Sequence, residues 1–313
     1  PVMPQFDLTL DHAALLVRRL ARAAPAFERL GFQIAPRLPH QGQLEPGGRT
    51  QAFGTAGCCI TLDGSYLELV EATGETAYAQ AIAERAARRE GVHFLGLATD
   101  ELTRLHRVLG EELPGLAPPR SLVREGPLDG ATRPASFRLI QLDGRCWPDA
   151  DLALVEHHSR QVIWPDVLPV HPNGARRLVG VTLVVRDPQA SRGRLARLLG
   201  RPHGAHFRLA QGRLSVIDLV SAVRRFPGLR LAEPPFPAAL AIEVASLRRV
   251  EGLLLRNGVT PRHSANGTLW VAPADAGGAV LEFTTGQVEH RDIKVTQRHR
   301  SAGFPGEQSA APT

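Results

Sequence analysis

Cysteine is scarce in this chain: three occur in 313 residues, Cys58 and Cys59 side by side and Cys146 alone. That excludes the even, spaced framework by which small secreted domains are stapled, and leaves the three as reduced, small apolar filling in strands. Long apolar runs are missing too. Val179 to Val185 is among the longest, well short of the roughly 18 residues that span a bilayer, so no membrane segment is expected. The chain opens Pro1-Val2-Met3-Pro4, without the basic stretch and apolar block of a secretory leader, which together with reduced thiols points to the cytoplasm. Lysine is nearly absent, Lys294 being the only one, so the net charge of +6 and the pI near 10.1 rest on arginine. Those arginines are scattered through every element and no aromatic pattern interleaves them, so nucleic acid is not the expected partner. Arginine's fork suits carboxylates and phosphates, which favours a small anionic molecule instead.

What is present is repetition. A length of 313 residues suggests two domains, and one order of elements recurs within them: strand, helix, then three strands. The first unit opens with the strand Leu8 to Val17, continues with a helix from Leu20 to Leu30 that Gly31 ends in a left-handed cap, and closes with strands over Gln33 to Leu38, Ala52 to Leu62 and Tyr66 to Val70. The second opens at Val92 to Ala98, has Asp100 as N-cap and Gly110 as helix stop, and closes with strands near Ser121 to Arg124, Ser136 to Leu142 and Leu152 to His157. The third runs Val179 to Val185, then a helix capped by Asp187 with Pro188 in its first position and Gly200 at its end. The fourth runs Leu240 to Ala245, capped by Ser246 and stopped at Gly258. Between units one and two, Glu75 to Glu90 reads as an amphipathic helix with Tyr78, Ile82 and Ala86 on its apolar face. The implied division is a first domain over 1–160, a connector over 161–177, a second domain over 178–286, and a polar, partly disordered tail over 287–313.

Chemistry-bearing residues fall at equivalent places in these units. The opening strands hold His12 and His93, with Gly180 and Leu240 at the matching positions of units three and four. The closing strands hold Glu68, Glu156, Asp218 and Glu282. A carboxylate inside an apolar strand is costly unless paired, hydrogen-bonded or bound to a cation. Imidazole with carboxylate suits Zn, Ni, Fe or Mn, and only the first half has both. His157 directly follows Glu156, so a register shift of one residue would decide which of the two faces the site.

On these residues the chain resembles the vicinal oxygen chelate superfamily, whose paired βαβββ modules form a cupped barrel. Asp11-His12, Gly64-Ser65-Tyr66-Leu67-Glu68, Gln161-Val162-Ile163-Trp164 and His171-Pro172-Asn173-Gly174-Ala175 further resemble the glyoxalase-like domain family. The resemblance implies an α+β fold of four modules paired into two cupped barrels, modules one and two together. It implies one divalent ion held by His12, Glu68, His93 and Glu156, with Glu156 or Glu68 leaving the metal to act as base. Around that site Arg49, Arg138, His157, Trp164 and His171 are the expected substrate contacts, although for Trp164 packing of the two domains against each other is the favoured role. The implied activity is lyase or isomerase chemistry on a small hydroxy-carbonyl substrate. The alternatives are Fe(II) ring-cleaving dioxygenation and metal-free sequestration of a small molecule, the latter leaving His12 and His93 hydrogen-bonded to neighbours. The second domain is then a degenerate copy, and a homodimer is the expected assembly.

Overall fold

The computed structural model describes residues 6–43, 48–113, 116–128, 131–142, 144, 147–264 and 267–286. The tail at 287–313 and Cys146 therefore lie outside the described residues. Strand β1 (Thr9–Leu16) leads into helix α1 (Leu20–Arg29), and β2 (Leu38–Gln43), β3 (Gln51–Leu62) and β4 (Ser65–Ala72) follow. After α2 (Ala77–Arg88) come β5 (Gly91–Ala98), α3 (Leu102–Glu112), β6 (Arg120–Leu128), β7 (Ala131–Leu142) and β8 (Asp151–His157). These eight strands close into a barrel in the order β1-β4-β3-β2-β6-β7-β8-β5. Units one and two thus pair with each other, β1 lying antiparallel to β5.

A short helix α4 (Arg160–Ile163) leads out of the barrel to β9 (Ala175–Val184), α5 (Pro188–Leu199), β10 (His206–Arg208), β11 (Arg213–Ile217) and α6 (Leu219–Arg225). Then come β12 (Phe236–Val244), α7 (Leu247–Arg256), β13 (Arg262–His263), β14 (Leu269–Val271) and β15 (Val280–Thr284). Their sheet has seven strands in the order β10-β11-β9-β12-β15-β14-β13 and is not a second closed barrel. Its third-unit half has one strand fewer, β10 and the closing strand β11 alone following α5, with β11 parallel to β9; Asp218 lies just past β11, where its carboxylate accepts the Ser221 N–H at 2.7 Å and caps α6. Among the described residues, no helix is long and apolar enough to cross a membrane.

One apolar core joins the two sheets. The outward side chains of β1 (Leu10, Ala13, Leu15), with Phe27 and Leu30 from α1 and its end, share it with Val181 and Leu183 of β9 and with Leu281 and Phe283 of β15. The backbones are stitched as well, Leu10 N–H to Gln211 O at 2.8 Å and Asp63 N–H to Arg176 O at 2.8 Å. Each fully buried Leu or Phe contributes roughly 1.5–3 kcal/mol, which is why burial, rather than propensity, decides several local outcomes. Helix α3 runs through Gly110 because Leu105 and Leu109 are buried on its apolar face, outweighing a glycine cost of about 1 kcal/mol. Helix α2 buries Ala79, Ile82 and Ala86, whereas Tyr78 is exposed. Residues 33 to 37 form no strand, pairing beginning at Leu38. Asp100 does not cap α3, whose N-cap position is Glu101 with no side-chain hydrogen bond, whereas Asp187 accepts from the Gln189 and Ala190 N–H groups at 3.0 Å, Ser246 accepts from Arg249 N–H at 3.3 Å, and Gly31 sits at φ 84°.

Candidate functional site

Pleating sends alternate side chains of β1 inward and outward, but its pairing with β5 shifts register between Leu10 and His12. This bulge makes Asp11 an extra residue, so that Leu10 and Ala13 both face the outer core while His12, Ala14 and Leu16 face into the barrel. Beside them on β4, His12 pairs with Tyr66 and Ala14 with Glu68, placing those two side chains on the same inner face. The rings of His12 and Tyr66 stack with centroids 4.7 Å apart. Across β5, His12 pairs with Gly96, where even a Cβ would come within 2.2 Å of His12 Nδ1. The absence of a side chain at 96 is what lets the ring lie there.

Asp11 is 1% exposed. Its Oδ2 accepts from His12 Nδ1–H at 2.7 Å and its Oδ1 from His157 Nε2–H at 2.9 Å. Burial alone would raise this carboxyl, yet the two imidazole hydrogen bonds outweigh it and hold it well below the usual carboxylate range. An ionised carboxylate accepts only, so both imidazole protons must lie on the nitrogens facing Asp11. His12 Nε2 has no partner among the described residues, and in the neutral ring it is the acceptor nitrogen.

Glu68 is anchored differently. Its Oε1 lies 3.3 Å from Arg124 Nη2 on β6 and 3.3 Å from His40 Nε2 on β2. Burial pushes its carboxyl up, but Arg124 and His40 overcome this and hold it well below the usual range. His40 Nδ1 in turn meets Thr55 Oγ1 at 2.9 Å, and Gly57 leaves room for that ring, since a Cβ there would approach His40 Nε2 to 2.5 Å. Glu68 Oε2, like His12 Nε2, has no partner among the described residues.

Trp164 closes this region from the connector. Its indole N–H donates to Ser65 O at 3.2 Å, its ring meets His157 edge-on at 5.1 Å and Tyr66 at 5.9 Å, and Arg160 lies 4.4 Å from its ring centroid. Helix α2 covers another part of the inner face, with Ile82 and Ala86 against Ala14, Leu16 and Val70.

The other residues singled out from the sequence lie elsewhere. His93 falls at the second register shift of the β1–β5 pair, between Phe94 opposite Ala14 and Val92 opposite Leu15. It turns away from the barrel interior and donates from Nε2 to Arg89 O at 2.8 Å; burial, reinforced by the Arg89 charge, pushes it down to about 4. Glu156 alternates with the inner-face residues Val155 and His157, so it faces outward, bonded to Arg138 at 3.2 Å and to His158 at 3.1 Å. Arg138 also donates to Thr103 Oγ1 at 3.1 Å, on the same outer side. Arg49 is exposed. His171 is 3% exposed and structural, accepting from Gln33 N–H at 3.0 Å and donating to Thr61 O at 2.9 Å. In the second half, Glu282 is taken up by Arg225 at 2.6 Å.

The set His12, Glu68, His93 and Glu156 therefore does not converge on one point, and among the described residues no three His, Cys, Asp or Glu side chains are grouped as a metal ion requires. The residues that complete the inner face, Asp11, His40 and Arg124, were not assigned roles from the sequence. One signal pointed to them: a glutamate inside an apolar strand needs a cation, and a histidine held for chemistry needs an orienting carboxylate.

A family model described as "Glyoxalase-like domain" matches residues 10–199. No curated protein matches the chain. Among solved structures, a hypothetical protein from Staphylococcus aureus aligns with a TM-score of 0.58 at 9% identity, over 89% of this chain and 100% of that one. A mutant of 4-hydroxymandelate synthase from Streptomyces coelicolor aligns at 0.56 and 11% identity, over 89% and 92%. A Mn(II)-bound glyoxalase from Novosphingobium aromaticivorans aligns at 0.52 and 13% identity, over 90% and 82%. At such identities the likeness is one of fold.

Proposed function

Because the chain belongs to the glyoxalase-like domain family of the vicinal oxygen chelate superfamily, we propose that the inner face of its barrel binds a small hydroxy-carbonyl molecule and moves a proton on it, as an isomerase or lyase does. The observation that carries this reading is the pair of open acceptors, His12 Nε2 and Glu68 Oε2, each on a group whose other polar atom is already tied down. Such acceptors take hydroxyl hydrogens, and a neutral imidazole of fixed tautomer beside them is a general base. His12 Nε2 would remove the proton, and the Asp11 carboxylate would stabilise the resulting imidazolium through Nδ1–H. Glu68 would hold the neighbouring hydroxyl, its own charge balanced by Arg124 and His40. Tyr66 and Trp164 give this part of the inner face an apolar, aromatic border that would limit water.

Exchange of the substrate's carbon-bound hydrogen in deuterated water, followed by NMR over a panel of α-hydroxy ketones and aldehydes, tests the proposal. Exchange that depends on His12 is expected to disappear in His12→Gln. A panel showing no exchange above buffer, or exchange that survives His12→Gln, overturns it.

A divalent ion is the second reading, favoured by the same two open acceptors: a metal-ligating histidine characteristically donates its other N–H to a carboxylate, as His12 does to Asp11. His12 and Glu68 would hold the ion, and when bound it would supply charge stabilisation to an oxyanion. His93 and Glu156 take no part in it. Elemental analysis of protein purified without chelators or a metal-affinity column decides between the two. Metal content near one equivalent that is lost in His12→Ala supports the ion, and content below about a tenth of an equivalent, with no thermal stabilisation by Zn, Ni, Mn or Fe(II), removes it.

A further inference from the structure

A cavity lies outside the barrel, between β5, the segment leading into β8, and the start of β12. Its volume is about 150 Å³, and Arg89, His93, Trp147, Asp149, Asp151 and Phe236 line it. Both carboxylates in its wall are neutralised: Asp151 pairs with Arg85, and Asp149 takes Arg194 at 2.7 Å. Arg89 has no such partner among the described residues. Its guanidinium donates only to backbone carbonyls, Val92 O at 2.6 Å and Glu90 O at 3.4 Å, and lies 5.2 Å from the Phe236 ring centroid. Carbonyl dipoles solvate a cation without cancelling its charge, so a half-buried guanidinium in this position lacks a counter-ion. Burial pushes Arg89 down to about 10, and no carboxylate opposes it.

His93 stands beside it. Its Nε2 proton is spent on Arg89 O, and its Nδ1 has no partner among the described residues. The charges acting on this ring are Arg89, Arg85 and Arg88 from α2 and its end, with the paired Asp149 and Asp151 across the cavity and only apolar Pro235, Phe236 and Pro237 from the second sheet. Trp147 adds a buried indole N–H with no acceptor.

We propose that this cavity is a second binding site, for a small oxyanion of the carboxylate or sulfate type, held by the Arg89 guanidinium and by Nδ1–H of a protonated His93. Neutral His93 presents a lone pair at Nδ1, and a proton taken up with the anion converts it into a donor. Because one wall belongs to the barrel and the other to the second sheet, the bound anion also ties the two sheets together.

Calorimetric titration of the full chain with sulfate, and separately with acetate, tests this. Sulfate keeps its charge between pH 6 and 8, so any pH dependence belongs to the protein. One saturable site is expected, tighter at pH 6 than at pH 8, with proton uptake visible as a dependence of the heat on buffer ionisation. Arg89→Gln should weaken binding about tenfold or more, while His12→Gln leaves it unchanged, separating this site from the barrel interior. Absence of saturable binding overturns the proposal, as does binding that is equal in folded Arg89→Gln or lost in His12→Gln. Should Arg89→Gln fail to fold, NMR titration of the His93 ring in the native chain replaces it: saturating sulfate should raise its pKa, and an unmoved titration overturns the proposal equally.

Discussion

Asp11 on β1 accepts a hydrogen bond from His157 on β8 at 2.9 Å, across 146 residues of chain, while its other oxygen holds the neighbouring His12 at 2.7 Å. The carboxylate thus clamps the beginning of the barrel to its last strand and sets the tautomers of two histidines at once.

Replacing Asp11 with Asn keeps the shape and removes the charge. Because the amide can donate as well as accept, one imidazole should change tautomer, which 15N NMR of the histidine rings reads directly. Ligand binding or turnover in the barrel should fall 10- to 100-fold, and urea denaturation should show a loss of about 1–3 kcal/mol. Unchanged ring tautomers would remove Asp11 from the role assigned to it.

Two glycine substitutions should diverge. Gly96→Ala drives a Cβ to within 2.2 Å of His12 Nδ1, so the ring must leave Asp11 and barrel function should be lost. Gly110→Ala meets nothing within 4 Å on the exposed side of α3 and should stabilise the protein by about 0.5–1 kcal/mol. Thermal melts of both, with ligand binding for the first, give the comparison.

The neighbours Glu156 and His157 should also separate. Glu156→Gln disturbs only a half-exposed outer pair with Arg138 and should cost at most about 1 kcal/mol, leaving barrel binding intact. His157→Gln breaks the bond to Asp11 and should weaken binding. A larger effect on ligand affinity from Glu156→Gln than from His157→Gln would contradict the inward placement of His157.

Stability should fall in two stages on acidification. His93 is depressed from 6.5 to about 4 in the folded chain, so below pH 6.5 the unfolded chain binds a proton that the folded one refuses, and stability is lost down to about pH 4. Asp11 and Glu68 are held below their usual 3.8 and 4.5; the stability they contribute is complete above those values and is lost as the pH falls below them. Urea midpoints measured from pH 7 to 3 should show both stages, and His93→Gln should reduce only the first, to which His171, also pushed down by burial, contributes. A curve for His93→Gln that matches the native one between pH 6.5 and 4.5 would refute the assignment.

Much of the architecture is legible along the chain. The helix caps at Asp187 and Ser246, the left-handed turn at Gly31 and the order of most strands depend on contacts only a few residues apart, which local sequence records. Legible too is the burial of Glu68, an acid inside the apolar run Tyr66 to Val70. Glu156 and His93 show the limit: each lies in a strand correctly located, yet each faces the wrong way for the set expected of it.

The sequence by itself determined where most strands and helices lie, and that carboxylates and histidines enter the barrel strands. Tertiary structure alone decided which of them meet. A strand has a period of two, so one bulged residue reverses every side chain beyond it, and the bulges at Asp11 and at His93 arise from pairing β1 with β5, some 80 residues apart. Asp11 was thereby brought to His12 and His157, Arg124 and His40 to Glu68, and His93 was turned out toward Arg89, because register between distant strands is set by the whole barrel closing and not by any one of its strands.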